Sequence, residues 1–189
     1  MSVRESSRDE LLYLLCAPHA LQWQKISEAQ QIDDEVSAAL SSLPTLTELD
    51  TYRCRSVSFL SSLPRLRYLF LDMDSDVHVA ADIVARLSRC SQLTHLYLNA
   101  ADVTAQQLRQ LLPHLPQLCA FGLMCCSALN SLSFLSECGH LSHSLQSLTL
   151  WGSYPPAALS TELEHVLTLT HLTHLTIIQF SVAPLERRW

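Results

Sequence analysis

Glycine is almost missing from this sequence, with three residues in 189. That scarcity argues against a phosphate-cradling loop, and neither G-x-x-x-x-G-K nor G-x-G-x-x-G is present. Asparagine occurs only at Asn99 and Asn130, and neither begins an N-x-S/T acceptor. No apolar run reaches the ~18 residues that span a bilayer. No basic run exceeds Arg187-Arg188, and the net charge is −6. A protein that neutralises phosphates shows a basic stripe, so neither nucleic acid nor an anionic membrane is an expected partner. The seven cysteines are Cys16, Cys54, Cys90, Cys119, Cys125, Cys126 and Cys138. They are odd in number and lack the spacing of a disulfide framework. The stretch Met1–Glu10 is charged and polar, unlike a signal peptide. Free thiols in a reducing compartment, cytoplasmic or nuclear, are therefore expected.

Leucine, by contrast, occurs 38 times, and a phrase built on it recurs. Its copies are Leu46-Thr-Glu-Leu49-Asp-Thr51, Leu66-Arg-Tyr-Leu69-Phe-Leu71 and Leu93-Thr-His-Leu96-Tyr-Leu98. They continue as Leu118-Cys-Ala-Phe121-Gly-Leu123, Leu145-Gln-Ser-Leu148-Thr-Leu150 and Leu172-Thr-His-Leu175-Thr-Ile177. A weaker copy, Leu21-Gln-Trp-Gln24-Lys-Ile26, opens the series. The first leucines lie 20 to 27 residues apart. Side chains alternate across a strand, so positions four and six of each phrase share a face and point into a core. Copies that return to the same place pair as parallel strands. Strands are expected near 22–26, 47–51, 67–71, 94–98, 119–123, 146–150 and 173–177.

The return paths read as helical. Ile32, Val36, Leu40 and Leu43 form one apolar stripe, and Val79, Ile83, Leu87 and Cys90 another. Leu108, Leu111, Leu112 and Leu115 form a third, opened by Thr104 and Gln107 as a capping box. Leu159, Leu163, Val166 and Leu167 form the last, after Pro155-Pro156. The connectors 56–63 and 131–138 share Ser-(Val/Leu)-Ser-Phe-Leu-Ser and predict short helical turns.

The phrase resembles the leucine-rich-repeat consensus L-x-x-L-x-L-x-x-N/C-x-L at its period of roughly 20–29 residues. The helix-containing subclass of F-box leucine-rich-repeat and ribonuclease-inhibitor-like proteins is most similar. The resemblance implies an α/β solenoid, with a curved parallel β-sheet on the concave side and helices and short helical turns on the convex side. It implies one domain over 1–189: a capping helix at 7–17, seven repeats over about 18–182, and a tail at 183–189. The chain departs from the family in three ways. Position nine reads Cys54, Asp74, Ala101, Cys126, Ser153 and Phe180, so the usual polar ladder is partial. Gln24 falls at a core position. No F-box sequence precedes the array.

Chemistry-bearing groups read blandly. His171 and His174 are three apart near a strand and are expected to diverge, so with His95 they make no metal site. Asp72-Met-Asp74-Ser-Asp76 begins like a calcium loop, but Val77 and Ile83 stand where glycine and glutamate are needed. Cys125-Cys126 has no basic residue within ten positions to lower a thiol pKa, so structural thiols are expected. Asp33-Asp34 suits a helix N-terminus. No G-x-S-x-G elbow or nucleophile–base–acid set is assembled. No catalytic residue, metal, cofactor or small-molecule substrate is expected.

The outward positions three, five and seven are more informative. They hold Trp23, Tyr52, Tyr68, Phe70, Tyr97 and Trp151, six aromatics among 21 positions, where the chain average of 7% gives one or two. Rings on an exposed sheet are not needed for a core, and aromatics are enriched in binding hot spots. These residues, with His95, Met124 and His174, are the candidate protein-binding face. The expected function is a non-catalytic interaction module, an adaptor or substrate receptor for a protein or peptide. A scaffold segment docking through its ends is the alternative.

Overall fold

Every copy of the phrase carries a strand. The computed structural model describes residues 2–3, 7–17, 24–74, 80–129, 131–152 and 162–179. Its strands are β1 (Ser2–Val3), β2 (Lys25–Gln30), β3 (Glu48–Cys54) and β4 (Tyr68–Met73), followed by β5 (His95–Asn99), β6 (Ala120–Met124), β7 (Ser147–Gly152) and β8 (His174–Gln179). They form one eight-stranded sheet in chain order. All seven pairings are parallel. The fold is thus an alternating α/β arrangement in which helices flank an open parallel sheet.

Between strands the chain runs through α1 (Arg8–Leu15), α2 (Asp34–Leu40), α3 (Ala80–Leu87), α4 (Ala105–Leu111), α5 (Phe134–Glu137) and α6 (Leu141–Ser144). A further helical stretch covers 162–166. The connectors with the shared serine motif are a 3₁₀ turn, Ser58–Ser62, and α5. Successive helices touch side by side, α1 with α2, α3 with α4 and α4 with α5, so they form a layer. Their starts follow their caps. Asp33 accepts from the Glu35 and Val36 N–H groups, and Thr104 with Gln107 forms the expected capping box.

The core lies between helices and sheet. Positions four and six are fully buried from β4 to β7, and Leu96 and Leu148 have no exposed surface. Between them, positions three and five of β4, β5 and β7 are only half-buried. In six successive copies, the position-two carbonyl of one strand accepts two backbone N–H groups of the next. Gln24 O takes Thr47 and Glu48, Arg67 O takes Thr94 and His95, and Gln146 O takes Thr173 and His174. Thr47, Thr94 and Thr173 add their hydroxyls to the same carbonyls. Entry to β3, β4, β5, β6 and β8 is a tight turn, with Pro at its second position in Leu43–Leu46, Leu63–Leu66 and Leu115–Leu118.

Several expectations shift. The strands begin one to three residues later than predicted. In the first copy Lys25 pairs with Glu48 and Ile26 with Leu49. Its register is therefore displaced by two, and Ile26 takes the core position assigned to Gln24, which is exposed. A bulge between Ile26 and Ala29 follows. Helix α1 is preceded by β1, so it connects two strands of the sheet. In the last stripe Leu167 is 80% exposed, and the core position falls to Leu169. The Leu169 carbonyl accepts from Leu172 N–H, as Leu43 O does from Leu46. Leu21, Val79, Leu159, Ser153, Phe180 and the tail 183–189 lie outside the described residues.

Candidate functional site

The sheet face away from the helices carries the candidate residues. Registered pairing sets them in rows, Tyr68 opposite His95, Phe70 opposite Tyr97, and Asp72 opposite Asn99. Strands stand ~4.8 Å apart, so side chains in one row touch. Tyr68 is the hub, with ring centroids 6.0 Å from His95 and 5.9 Å from Tyr97. The Phe70 ring turns towards Tyr52, at 5.7 Å. Tyr52 is 38% exposed and the other four are half-buried.

Gly122 explains the pose of Tyr97. A Cβ at Gly122 would stand 2.3 Å from Tyr97 Cδ1, so the ring rests on bare backbone. The absence of a side chain at Gly122 thus widens the aromatic surface by one strand. His95 is oriented by its neighbour. The Thr94 hydroxyl gives its one proton to Arg67 O at 3.0 Å, so His95 Nδ1–H donates to Thr94 Oγ1 at 2.9 Å. Nε2 is then the acceptor of the neutral ring. Thr173 fixes His174 in the same way.

Acidic groups are interleaved with the rings. Asp72 accepts from Asn99 Nδ2 at 2.6 Å. Asp50 Oδ1 is buried and has no hydrogen-bond partner. Burial pushes the Asp50 carboxyl above its ordinary range; Glu28 and Asp72 add to this and Lys25 opposes it. Asp72 is pushed up by burial too, against the Arg53 backbone N–H and Asn99. The Tyr68 hydroxyl is raised to about 12, by burial first and then by Asp50. It therefore remains a protonated donor at neutral pH. Lys25, the chain's one lysine, pairs with Glu48 at 2.5 Å.

The candidates do not all come together. Met124 is buried, so it supports the face and offers little contact. Trp151 is 37% exposed and lies between Met124 and Ile178 in register. It belongs to a second, apolar group on β6–β8. His174 is exposed on β8, with Ala120 and Ser147 separating its row position from His95. Trp23 lies outside the described residues, and Lys25 occupies the row position assigned to it. Sequence reasoning left out Asp50, Asp72, Asn99 and Gly122. Their only signal was that they fill positions five and seven of the same columns.

Other groups have structural partners. Cys126 Sγ donates to Met124 O at 3.4 Å and Leu98 O at 3.7 Å, and burial raises its thiol to about 11. Cys54 is buried, with a thiol raised to about 12 by burial. Asp74 pairs with Arg55 at 2.7 Å, while Asp72 is directed to Asn99; Asp76 lies outside the described residues. Among the described residues no three His, Cys, Asp or Glu side chains converge as metal ligands. No described helix is long and apolar enough to cross a membrane. No family model matches the chain, and no curated protein compared with it is significantly similar.

Proposed function

We propose that this chain is a leucine-rich-repeat solenoid whose open sheet face is its concave side. In this reading the face binds a protein or peptide, as an adaptor or substrate receptor, with no chemistry of its own. The observation that carries it is the run of partly exposed rings, Tyr52, Phe70, Tyr68 and Tyr97, on a face that no described helix covers. The core on the other side is complete without them. Strands in chain order, helical connections between neighbours, and a repeated carbonyl ladder are what stacked repeats produce. Seven free cysteines suit a reducing compartment, cytoplasmic or nuclear.

The test is affinity for a captured partner, measured with the intact chain and with Tyr68→Ala and Tyr97→Ala. Each variant is expected to weaken binding by about 2 kcal/mol, or roughly 30-fold, with the circular dichroism spectrum unchanged. Unaltered affinity in both refutes the open-face reading. The scaffold reading has its own observation. At β8, Leu175 is 46% and Ile178 43% exposed, so the last strand leaves apolar surface at the end of the sheet. It predicts that Leu175→Asp and Ile178→Asp abolish assembly, whereas the tyrosine variants leave it intact.

A further inference from the structure

The open face is divided by charge. On β2 to β4, Lys25, Glu48, Asp50 and Asp72 stand in the rows, with Glu28 in the β2 bulge. The Lys25–Glu48 pair cancels, which leaves three carboxylates beside the rings. Arg53, at the end of β3, acts on Asp72 from the strand's edge. On β6 to β8 the rows hold no acidic or basic side chain except the imidazole of His174. There the exposed large apolar groups are Trp151 and Ile178. Asp50, whose buried Oδ1 has no hydrogen-bond partner, and Tyr68 both line a hollow of about 70 Å³. Carboxylates set among partly exposed aromatic faces are complementary to a cationic head group. The rings attract it through their quadrupoles and the carboxylates through charge.

Resting on the reading of this face as a binding surface, we propose that its occupant is a basic peptide segment. An arginine or lysine head lies over the Tyr68 and Phe70 rings and pairs with Asp50 and Asp72. An apolar side chain of the same segment covers Trp151 and Ile178. Strands β4 and β7 are three steps apart, ~14 Å, which about four extended residues span. The segment therefore carries its basic and apolar residues about four positions apart.

The test is selection of a randomised twelve-residue peptide library on the immobilised full chain. Enriched peptides are then measured one by one against the parent, Tyr68→Ala, and the double variant Asp50→Asn with Asp72→Asn. Exposed Glu164→Gln serves as a charge control. Support requires enrichment of arginine or lysine with an apolar residue about four positions away. It also requires at least about tenfold weakening in the Asn double variant and none in Glu164→Gln. Binding to the parent should weaken as sodium chloride rises from about 50 to 300 mM, a readout that needs no variant to fold. Peptides that depend on Tyr68 but lack basic residues overturn the cationic occupant and leave the open-face reading standing. Peptides indifferent to every face variant, or no enrichment at all, overturn both.

Discussion

Truncating Leu96 to alanine tests the register of the sheet. Leu96 is fully buried at position four of β5, between Leu69 of β4 and Phe121 of β6. Three lost carbons forfeit about 2.4 kcal/mol, at ~0.8 kcal/mol per buried methylene. Both neighbours are held in their own strands, so the vacated space closes only in part. The residual cavity brings the expected cost to about 3–5 kcal/mol. Leu175 holds the same position on the edge strand β8 and is 46% exposed. There the same truncation is expected to cost about 1 kcal/mol, because less apolar surface returns to water. Urea unfolding followed by circular dichroism measures both, with m-values checked because an array can unfold from one end. Equal costs at the two sites, or a near-zero cost at Leu96, would refute the assignment of position four to the core.

Two further predictions concern Gly122 and Asp33. Gly122→Ala drives its new Cβ against Tyr97 Cδ1, so the ring must leave its seat, at a cost of about 1–2 kcal/mol. Proton ring-current shifts along β5 and β6 should change, and unchanged shifts mean the ring never rested there. At Asp33, burial alone raises the carboxyl, but the Val36 N–H and Arg8 outweigh it and hold the group below its ordinary value. Arg8 Nε donates to Asp33 Oδ2 at 2.5 Å. A depressed folded-state pKa stabilises above the unfolded value and is lost as pH falls through the folded one. Asp33→Ala should therefore cost about 1–2 kcal/mol at neutral pH, mainly as a lost helix cap. Denaturation at a series of pH values should show the difference vanishing below the aspartate range; a pH-independent difference would exclude the linkage.

The leucine spacing carried most of the architecture because position four is buried in every strand from β3 to β7. It failed where spacing was ambiguous. In the first copy Gln24 and Ile26 offered two alignments, and the apolar side chain took the core two residues off the expected register. Leu167 and Leu169 posed the same choice, settled by the turn that returns the chain to Leu172. Ser2–Val3 is too short for any periodicity to announce a strand. The aromatic rows were legible because tyrosine and tryptophan stand out among small polar residues. The carboxylates between them were not, since an aspartate on a strand reads as solvated until its neighbours are known. Asp50 gains its character from partial burial beside β4, where it stands opposite Phe70 and shares a hollow with Tyr68, which a single phrase cannot display.

The scarcity of glycine leaves a mark on the backbone that can be measured. Four strands of this sheet, β2, β3, β5 and β6, reach a bend with a left-handed residue. Gln31, Arg53, Ala100 and Cys125 occupy it with φ between 50° and 56°. Each directly follows position seven of its strand. The Gln31, Ala100 and Cys125 N–H groups each donate to a carbonyl of the next strand, Tyr52, Met124 and Trp151. The ladder thus holds a conformation that costs a non-glycine residue roughly 1–2 kcal/mol. Ala100→Gly removes that cost, keeps the N–H, and returns about 0.5–1 kcal/mol through the greater freedom of the unfolded chain. The net expectation is a stabilisation of a few tenths to about 1 kcal/mol. Ala85→Gly, the same substitution on the exposed side of α3, should destabilise by about 1 kcal/mol. Opposite signs in parallel denaturation curves identify the bend as strained. A loss at Ala100 as large as that at Ala85 would mean that the left-handed bend exacts nothing.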